Sequence, residues 1–276
     1  MRVYHKRHPV HGLCLYADNG YIEIGIPFSF GIRITHFGLS GKDNLFYEDP
    51  IVDPKFSTPD GWRLRGGYRI WPAPEGPWDY VPDNLPVDMS INEDDDLIVL
   101  SEQPCSATGF RKRMEIKLLD RGIRVRGSLE NITDHDISCS VWMVSTVAPG
   151  GVEEIPLPFS GNDSPRVSLC YWDHTDPGDP RFRYEKDRIL ISHMKIPEHL
   201  KIGISRPAGP VRYTLGDVTL VKNYDFREDA VYTDRGSSYE TYFSEHMAEL
   251  ESLSPVYTIK PGCEISHTEE LLIEEN

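Results

Sequence analysis

Helical periodicity is nearly missing from this 276-residue chain: no segment repeats apolar residues every three or four positions. That leaves an all-β reading. Long apolar runs are lacking too, and none approaches the length of a membrane span. The start, MRVYHKRHPVHGLCLYADNG, is basic but has no apolar stretch behind it, so it does not read as a signal peptide. Positive charge is scarce, and a formal charge of −15 argues against nucleic acid and anionic membranes as partners. Cysteine is sparse, odd in number and without CxxC spacing: Cys14, Cys105, Cys139, Cys170 and Cys263 suit neither a disulfide framework nor a zinc site. Buried thiols in a reducing cytoplasm are the simpler reading. GxSxG, HExxH and P-loop patterns are absent, and no metal or cofactor is expected. His5, His8 and His11 have no familiar metal-ligand spacing and read as surface histidines of a peripheral or mobile segment, residues 1–19.

What is present is strand. Ile22, Ile24 and Ile26, then Ile32 and Ile34, recur at every second residue, as strand, turn and strand. From Leu97 the pattern is almost unbroken: LIVLSEQ, MEIKLLD, RGIRVRGSLEN and ISCSVWMVSTVA follow one another. Further strands are expected at Arg188–His193, Leu200–Ser205, Val211–Leu215, Val218–Val221 and Ser266–Ile273. Two stretches are irregular. Pro149–Asp187 is rich in turn residues. Pro50–Pro86 gathers Trp62, Trp71 and Trp78 beside Arg69, Glu75 and Asp83, which argues against disorder and for the wall of a binding site. With no linker or repeat, residues 1–276 read as one large two-sheet sandwich.

The most informative stretch is YETYFSEHMAELESLSP, Tyr239–Pro255, a hairpin turning near Ser244-Glu245. The expected pairing sets Tyr242 opposite Met247 and Glu240 opposite Glu249. Alternation then places Tyr239, Thr241, Ala248, Leu250 and Ser252 on one face and Glu240, Glu249 and Glu251 on the other. Three carboxylates on one face form either a solvated exterior or a ligand-facing surface that binds hydroxyls or moves protons.

Several blocks carry a resemblance. LESLSPVYTIKPGCEISHTEELLI, with its Pro261-Gly262-Cys263-Glu264 turn and His267, is similar to the C-terminal signature of the galactose mutarotase (aldose 1-epimerase) superfamily. GGYRIWPAPE, WDYVPDN, LENITD, VWMVS, LVKNYDF and ELESLSP resemble, more closely, a mutarotase-like branch known as domain of unknown function 4380. The resemblance runs from about Ile22 to Ile273. It implies a galactose mutarotase-like β-supersandwich with a sugar-sized cleft on its concave sheet. In aldose 1-epimerases a glutamate takes the anomeric proton and a histidine protonates the ring oxygen; Glu251 falls on the base. The acid has no counterpart, since the matching position is near Trp142 and His135 lies on a turn.

The remaining candidates divide between cleft and scaffold. Arg69 would clamp a hydroxyl or carboxylate, or pair with Glu75 or Asp83. Trp71 and Trp142 would stack a sugar face or join the core. Lys222 faces solvent or the acidic cleft, and the resemblance implies the cleft. Glu240 and Glu249 would bind hydroxyls or balance Arg235 and Lys222. The expected partner is a small carbohydrate, or a sugar acid if Arg69 and Lys222 both face the cleft. The expected activity is mutarotation. The alternatives are sugar binding without turnover and lyase or isomerase chemistry in the same cleft.

Overall fold

The computed structural model describes residues 1–49, 61–161, 163 and 166–276. The chain opens with four antiparallel strands in sequential order, β1 (Arg2–His8), β2 (Gly12–Asp18), β3 (Ile22–Pro27) and β4 (His36–Leu39). After β5 (Gly67–Ala73) comes the one helical element among the described residues, a 3-10 turn at Pro77–Tyr80. The run then continues through β6 (Asp88–Asn92), β7 (Leu97–Ser101), β8 (Phe110–Leu119), β9 (Gly122–Asn131) and β10 (Ile137–Val147). Shorter strands follow: β11 (Val152–Pro156), β12 (Leu169–Tyr171), β13 (Phe182–Tyr184), β14 (Arg188–Ser192), β15 (Leu200–Ile204) and β16 (Val211–Leu215). The last five are β17 (Val218–Tyr224), β18 (Tyr239–Phe243), β19 (Ala248–Leu253), β20 (Tyr257–Ile259) and β21 (Glu264–Glu275).

Two large antiparallel sheets face each other. One has ten strands in the order β13-β14-β11-β16-β17-β21-β9-β8-β7-β6. The other runs β12-β15-β18-β19-β10-β20, with β5 paired to β10. Between them lies the main core, in which inward residues alternate along each strand: Ile116 and Leu118 of β8, Leu271 and Ile273 of β21, Leu200, Ile202 and Ile204 of β15. The architecture is therefore the all-β sandwich that strand periodicity implies. Two stretches differ from the reading of the sequence. Residues 1–19 are not a loose end: β2 buries Cys14, Leu15, Tyr16 and Ala17 and pairs on both sides. Ile32 and Ile34 are buried but form no strand; Ile34 makes a single bridge to Tyr68.

That bridge depends on two glycines. At Gly66 and Gly67 the backbone is left-handed, with φ of 72° and 70°. A Cβ at Gly66 would stand 2.0 Å from the Tyr47 carbonyl oxygen, and one at Gly67 would stand 2.4 Å from that of Ile34. Only glycine meets both demands. This close approach delivers the chain into β5 with Tyr68 and Ile70 in the main core and Arg69 and Trp71 on the opposite face.

Candidate functional site

On the seven-stranded sheet, side chains that do not enter the core point to the opposite face. Strand pairing lines them up: Trp142 lies opposite both Trp71 and Leu253, Val144 opposite Arg69 and Glu251, and Thr146 opposite Glu249. On the far side of β19, Glu240 lies opposite Glu251 and Tyr242 opposite Glu249; beyond β18, Gly203 lies opposite Glu240 and Lys201 opposite Tyr242. The expected hairpin register is off by two residues. A two-residue slip leaves every side chain on its face, so the division into an acidic and an apolar face survives.

The acids on this face are buried: Glu240 is 2% exposed, Glu249 7% and Glu251 0%. They are held by two cations. Arg69 Nη1 donates to Glu249 Oε1 at 2.8 Å and to Thr146 Oγ1 at 3.0 Å. Lys201 Nζ stands 2.9 Å from Glu240 Oε2 and 3.0 Å from Glu251 Oε2. Directly opposed like charges destabilise a strand pair, and this ammonium offsets the Glu240–Glu251 repulsion. Trp142 Nε1 also donates to Glu251 Oε2, at 2.9 Å. Oε1 of Glu240 and Oε1 of Glu251 have no partner.

These contacts separate the three carboxyls electrostatically. Burial would raise all of them. The Arg69 guanidinium overcomes it for Glu249, whose carboxyl is held below the usual range. Burial wins at Glu251 and, by more, at Glu240, even with the shared Lys201 beside them.

Above this floor is a cleft with two adjoining lobes of about 320 Å³ and 340 Å³, sizes at the low end of the roughly 300–1,000 Å³ typical of small-molecule sites. Glu75, Tyr80, Trp142, Trp172 and Lys201 border both. The first lobe adds Arg69, Glu249, Tyr242, His174 and His199; the second adds Asp234 and Glu240. Its wall is aromatic. Trp71 and Trp142 meet edge to face at 5.6 Å, and Tyr80 meets Trp71 at 5.7 Å and Trp62 at 5.0 Å. Cations already lie on these rings: Arg69 is 4.3 Å from the Trp71 centroid, and Lys201 is 4.5 Å from Trp142 and 4.9 Å from Trp172.

The structure thus brings Arg69, Trp71, Glu75, Trp142, Glu240 and Glu249 together around one cleft. Glu251 belongs to the same face but borders neither lobe; it lies beneath Lys201 and Trp142. Arg69 pairs with neither Glu75 nor Asp83. Glu75 accepts a hydrogen bond from the Tyr80 hydroxyl, and Asp83 faces Arg33 and Arg65. Glu249 is balanced by Arg69 and not by Arg235 or Lys222. The Pro50–Asp60 part of the tryptophan-rich stretch and the Trp78 side chain lie outside the described residues.

Lys222 is the clear correction. It is 0% exposed and sits between the two sheets, donating to Glu269 Oε1 at 2.7 Å and to Ser145 Oγ at 3.1 Å. Leu220, Lys222 and Tyr224 share one parity on β17, and Leu220 is in the core, so the lysine is carried inward with it.

Seven residues named around the cleft escaped sequence reading: Lys201, Tyr242, His199, Trp172, Tyr80, His174 and Asp234. Lys201 had a signal, because Leu200, Ile202 and Ile204 commit the other face of β15 to the core and leave Lys201 and Gly203 opposite. His199 and Trp172 lie on loops, where no period exists to place them. The Tyr242 hydroxyl lies 2.9 Å from His199 Nδ1.

A separate cluster gathers His8, His11 and Glu48, with their ligand atoms within 4.8 Å of one another. His11 is 4% exposed, so these are not histidines of a mobile end. The geometry does not fit a metal. The two rings stack 16° from parallel at 4.7 Å, and a metal–imidazole bond lies in the ring plane, so stacked rings cannot both aim at one ion. His8 Nδ1 also accepts from the Val10 and His11 amides at 3.3 Å, which leaves the ring proton on Nε2, 3.2 Å from Glu48.

The fold is an all-β sandwich that matches galactose mutarotase-like proteins. Solved structures similar in fold include a galactose mutarotase-like protein from Lactobacillus casei ATCC 334, at TM-score 0.59 and 11% identity over 95% of this chain and 100% of that one. A protein named as a candidate aldose 1-epimerase from Escherichia coli K12 has TM-score 0.59 and 14% identity over 95% of this chain and 98% of that one. The Slr1438 protein from Synechocystis sp. PCC 6803 reaches TM-score 0.64 at 13% identity over 100% and 96%. No family model matches the sequence. An alignment of 87 positions that covers 27% of this chain is 31% identical to the LPS-assembly protein LptD of Pasteurella multocida and spans 11% of that protein. Among the described residues no helix is long and apolar enough to cross a membrane.

Proposed function

We propose that the concave-sheet cleft binds a monosaccharide and interconverts its anomers, as in the aldose 1-epimerases that the sequence resembles. The observation that carries this reading is the interleaving of buried ion pairs with indole faces beneath a cavity: Arg69–Glu249 beside Trp71, and Lys201–Glu240/Glu251 beside Trp142. Charged donors and acceptors meet sugar hydroxyls, and indoles meet the C–H faces of the ring. In this reading Glu251 takes the anomeric proton, a role suited to a carboxyl raised by burial. His199, beside the Tyr242 hydroxyl, supplies the acid for the ring oxygen that the sequence resemblance leaves unassigned. The unpaired cysteines favour a cytoplasmic site of action, and the GGYRIW and ELESLSP blocks favour the domain of unknown function 4380 branch.

A second reading is binding without turnover. It is favoured by the full burial of Glu251 beneath Lys201 and by Trp142 at the place where a histidine acid would stand. Exchange NMR across hexoses, pentoses, amino sugars and uronic acids, with calorimetry alongside, separates the two. Accelerated anomer exchange that Glu251→Gln abolishes supports the enzyme. Binding with exchange at the solvent rate supports the second reading. Absence of binding by every sugar rejects both.

A further inference from the structure

The cleft has too little positive charge for its acids. Its two cations are already engaged: Arg69 by Glu249, and Lys201 by both Glu240 and Glu251. Against them stand four acids that border the cavity, Glu75, Asp234, Glu240 and Glu249, with Glu251 beneath them. The imbalance is greatest in the second lobe, where Glu75, Asp234 and Glu240 meet Lys201 alone. With Lys222 in the core, the pair of cations that a sugar acid would need is not there.

A second feature points to an occupant. Glu240 is 2% exposed, and its Oε1 has no partner. A buried carboxyl oxygen without a partner is expensive, and a ligand donor removes that penalty. The walls of this lobe, Trp142, Trp172 and Tyr80, are aromatic, and Lys201 shows that the two indole faces accept an ammonium. Among the described residues no three ligating side chains of this lobe gather within reach of a single ion.

We infer that the ligand of this cleft is an amino sugar, its protonated amine in the lobe of Glu75, Asp234 and Glu240 and its ring over Arg69 and Glu249. This rests on the carbohydrate reading above and names the class of sugar. The ammonium donates to Glu240 and Asp234, inside the aromatic walls of the lobe. The ring hydroxyls reach the Arg69–Glu249 pair in the adjoining lobe.

Calorimetry of the full chain with matched sugars tests it: glucosamine, galactosamine and mannosamine, their parent hexoses, their N-acetyl forms and the uronic acids. A free amine is expected to strengthen binding at least about tenfold over the parent hexose, the scale of a partly desolvated charge pair. N-acetylation erases the gain, Glu240→Gln and Asp234→Asn each reduce it, and salt weakens it. Asp234 lies on a half-exposed loop, so its variant reports on the site even if Glu240→Gln folds poorly. Equal binding of hexose and amino sugar, or preference for a uronic acid, overturns the inference while leaving the carbohydrate reading standing. If no sugar of any charge binds, the carbohydrate reading falls and the inference with it.

Discussion

Arg69 and Glu249 meet at 2.8 Å although they are not cross-strand partners; each reaches diagonally over β10, and Thr146 closes the gap by hydrogen bonding to both. Their side chains are 5% and 9% exposed. Arg69→Ala strands a buried carboxylate and is expected to destabilise the fold by about 3–5 kcal/mol. The double variant Arg69→Met/Glu249→Gln should recover much of that. Urea denaturation of the four proteins gives the coupling, and additive losses would show that the pair acts independently.

Trp142 serves both as a wall of the cleft and as a donor to Glu251. Trp142→Phe keeps an aromatic ring and removes the indole N–H, leaving Glu251 Oε2 to Lys201 alone, so stability should fall by about 0.5–1.5 kcal/mol, the net worth of one hydrogen bond. Any ligand affinity lost beyond that reports on the wall itself, through calorimetry of the folded variant.

Gly203 makes room for the floor of the second lobe. A Cβ there would come 2.2 Å from Ser237 Oγ and 3.4 Å from the Trp172 ring. Gly203→Ala is expected to destabilise by about 1–3 kcal/mol, the usual penalty for overpacking. The added methyl strikes Ser237, while Trp172 stays in ordinary contact. An unchanged melting temperature would mean that Ser237 yields freely.

Two core groups between the sheets should give the stability curve opposing slopes. Burial pushes His267 down to about 3, with Lys222 adding to the effect. Its contribution is therefore complete above the unfolded value near 6.5 and is lost as pH falls toward 3. Burial pushes Glu153 up to about 8, against its hydrogen bonds from Tyr239 and Thr241. That contribution is complete below the unfolded value near 4.3 and is lost as pH rises through 8. Each slope is about 1.4 kcal/mol per pH unit, so the two nearly cancel between roughly pH 4.3 and 6.5. Glu153→Gln should make stability climb with pH below 6.5. His267→Gln should make it decline from about 4.3 to 8. Denaturation midpoints across pH measure both, and flat profiles in both variants would contradict the assignment.

The acidic face was legible because alternation survives a register error: whether Glu240 pairs with Glu249 or with Glu251, all three carboxyls emerge on one side. The same rule, applied to Leu220 and Lys222, places the lysine in the core, so its assignment to the cleft came from resemblance and not from parity. Periodicity could not show how the ions pair. Arg69 joins Glu249 across 180 positions of sequence, and Lys201 joins acids from two strands, both through sheet order that no local pattern encodes. The ordered N-terminal strands were missed for a different reason: β1 is largely exposed, and its polar sequence resembles a tail until β2 lies beside it.

Lys201 serves two acids at once, and that has a calorimetric signature. Burial and neighbouring acids push Glu240 and Glu251 toward the protonated form while the one ammonium opposes them, and an incoming guest that takes over one of its contacts changes which form is preferred. Uptake would then exchange hydrogen ions with the medium, and the measured heat would differ between buffers of unlike ionisation enthalpy by an amount that counts them.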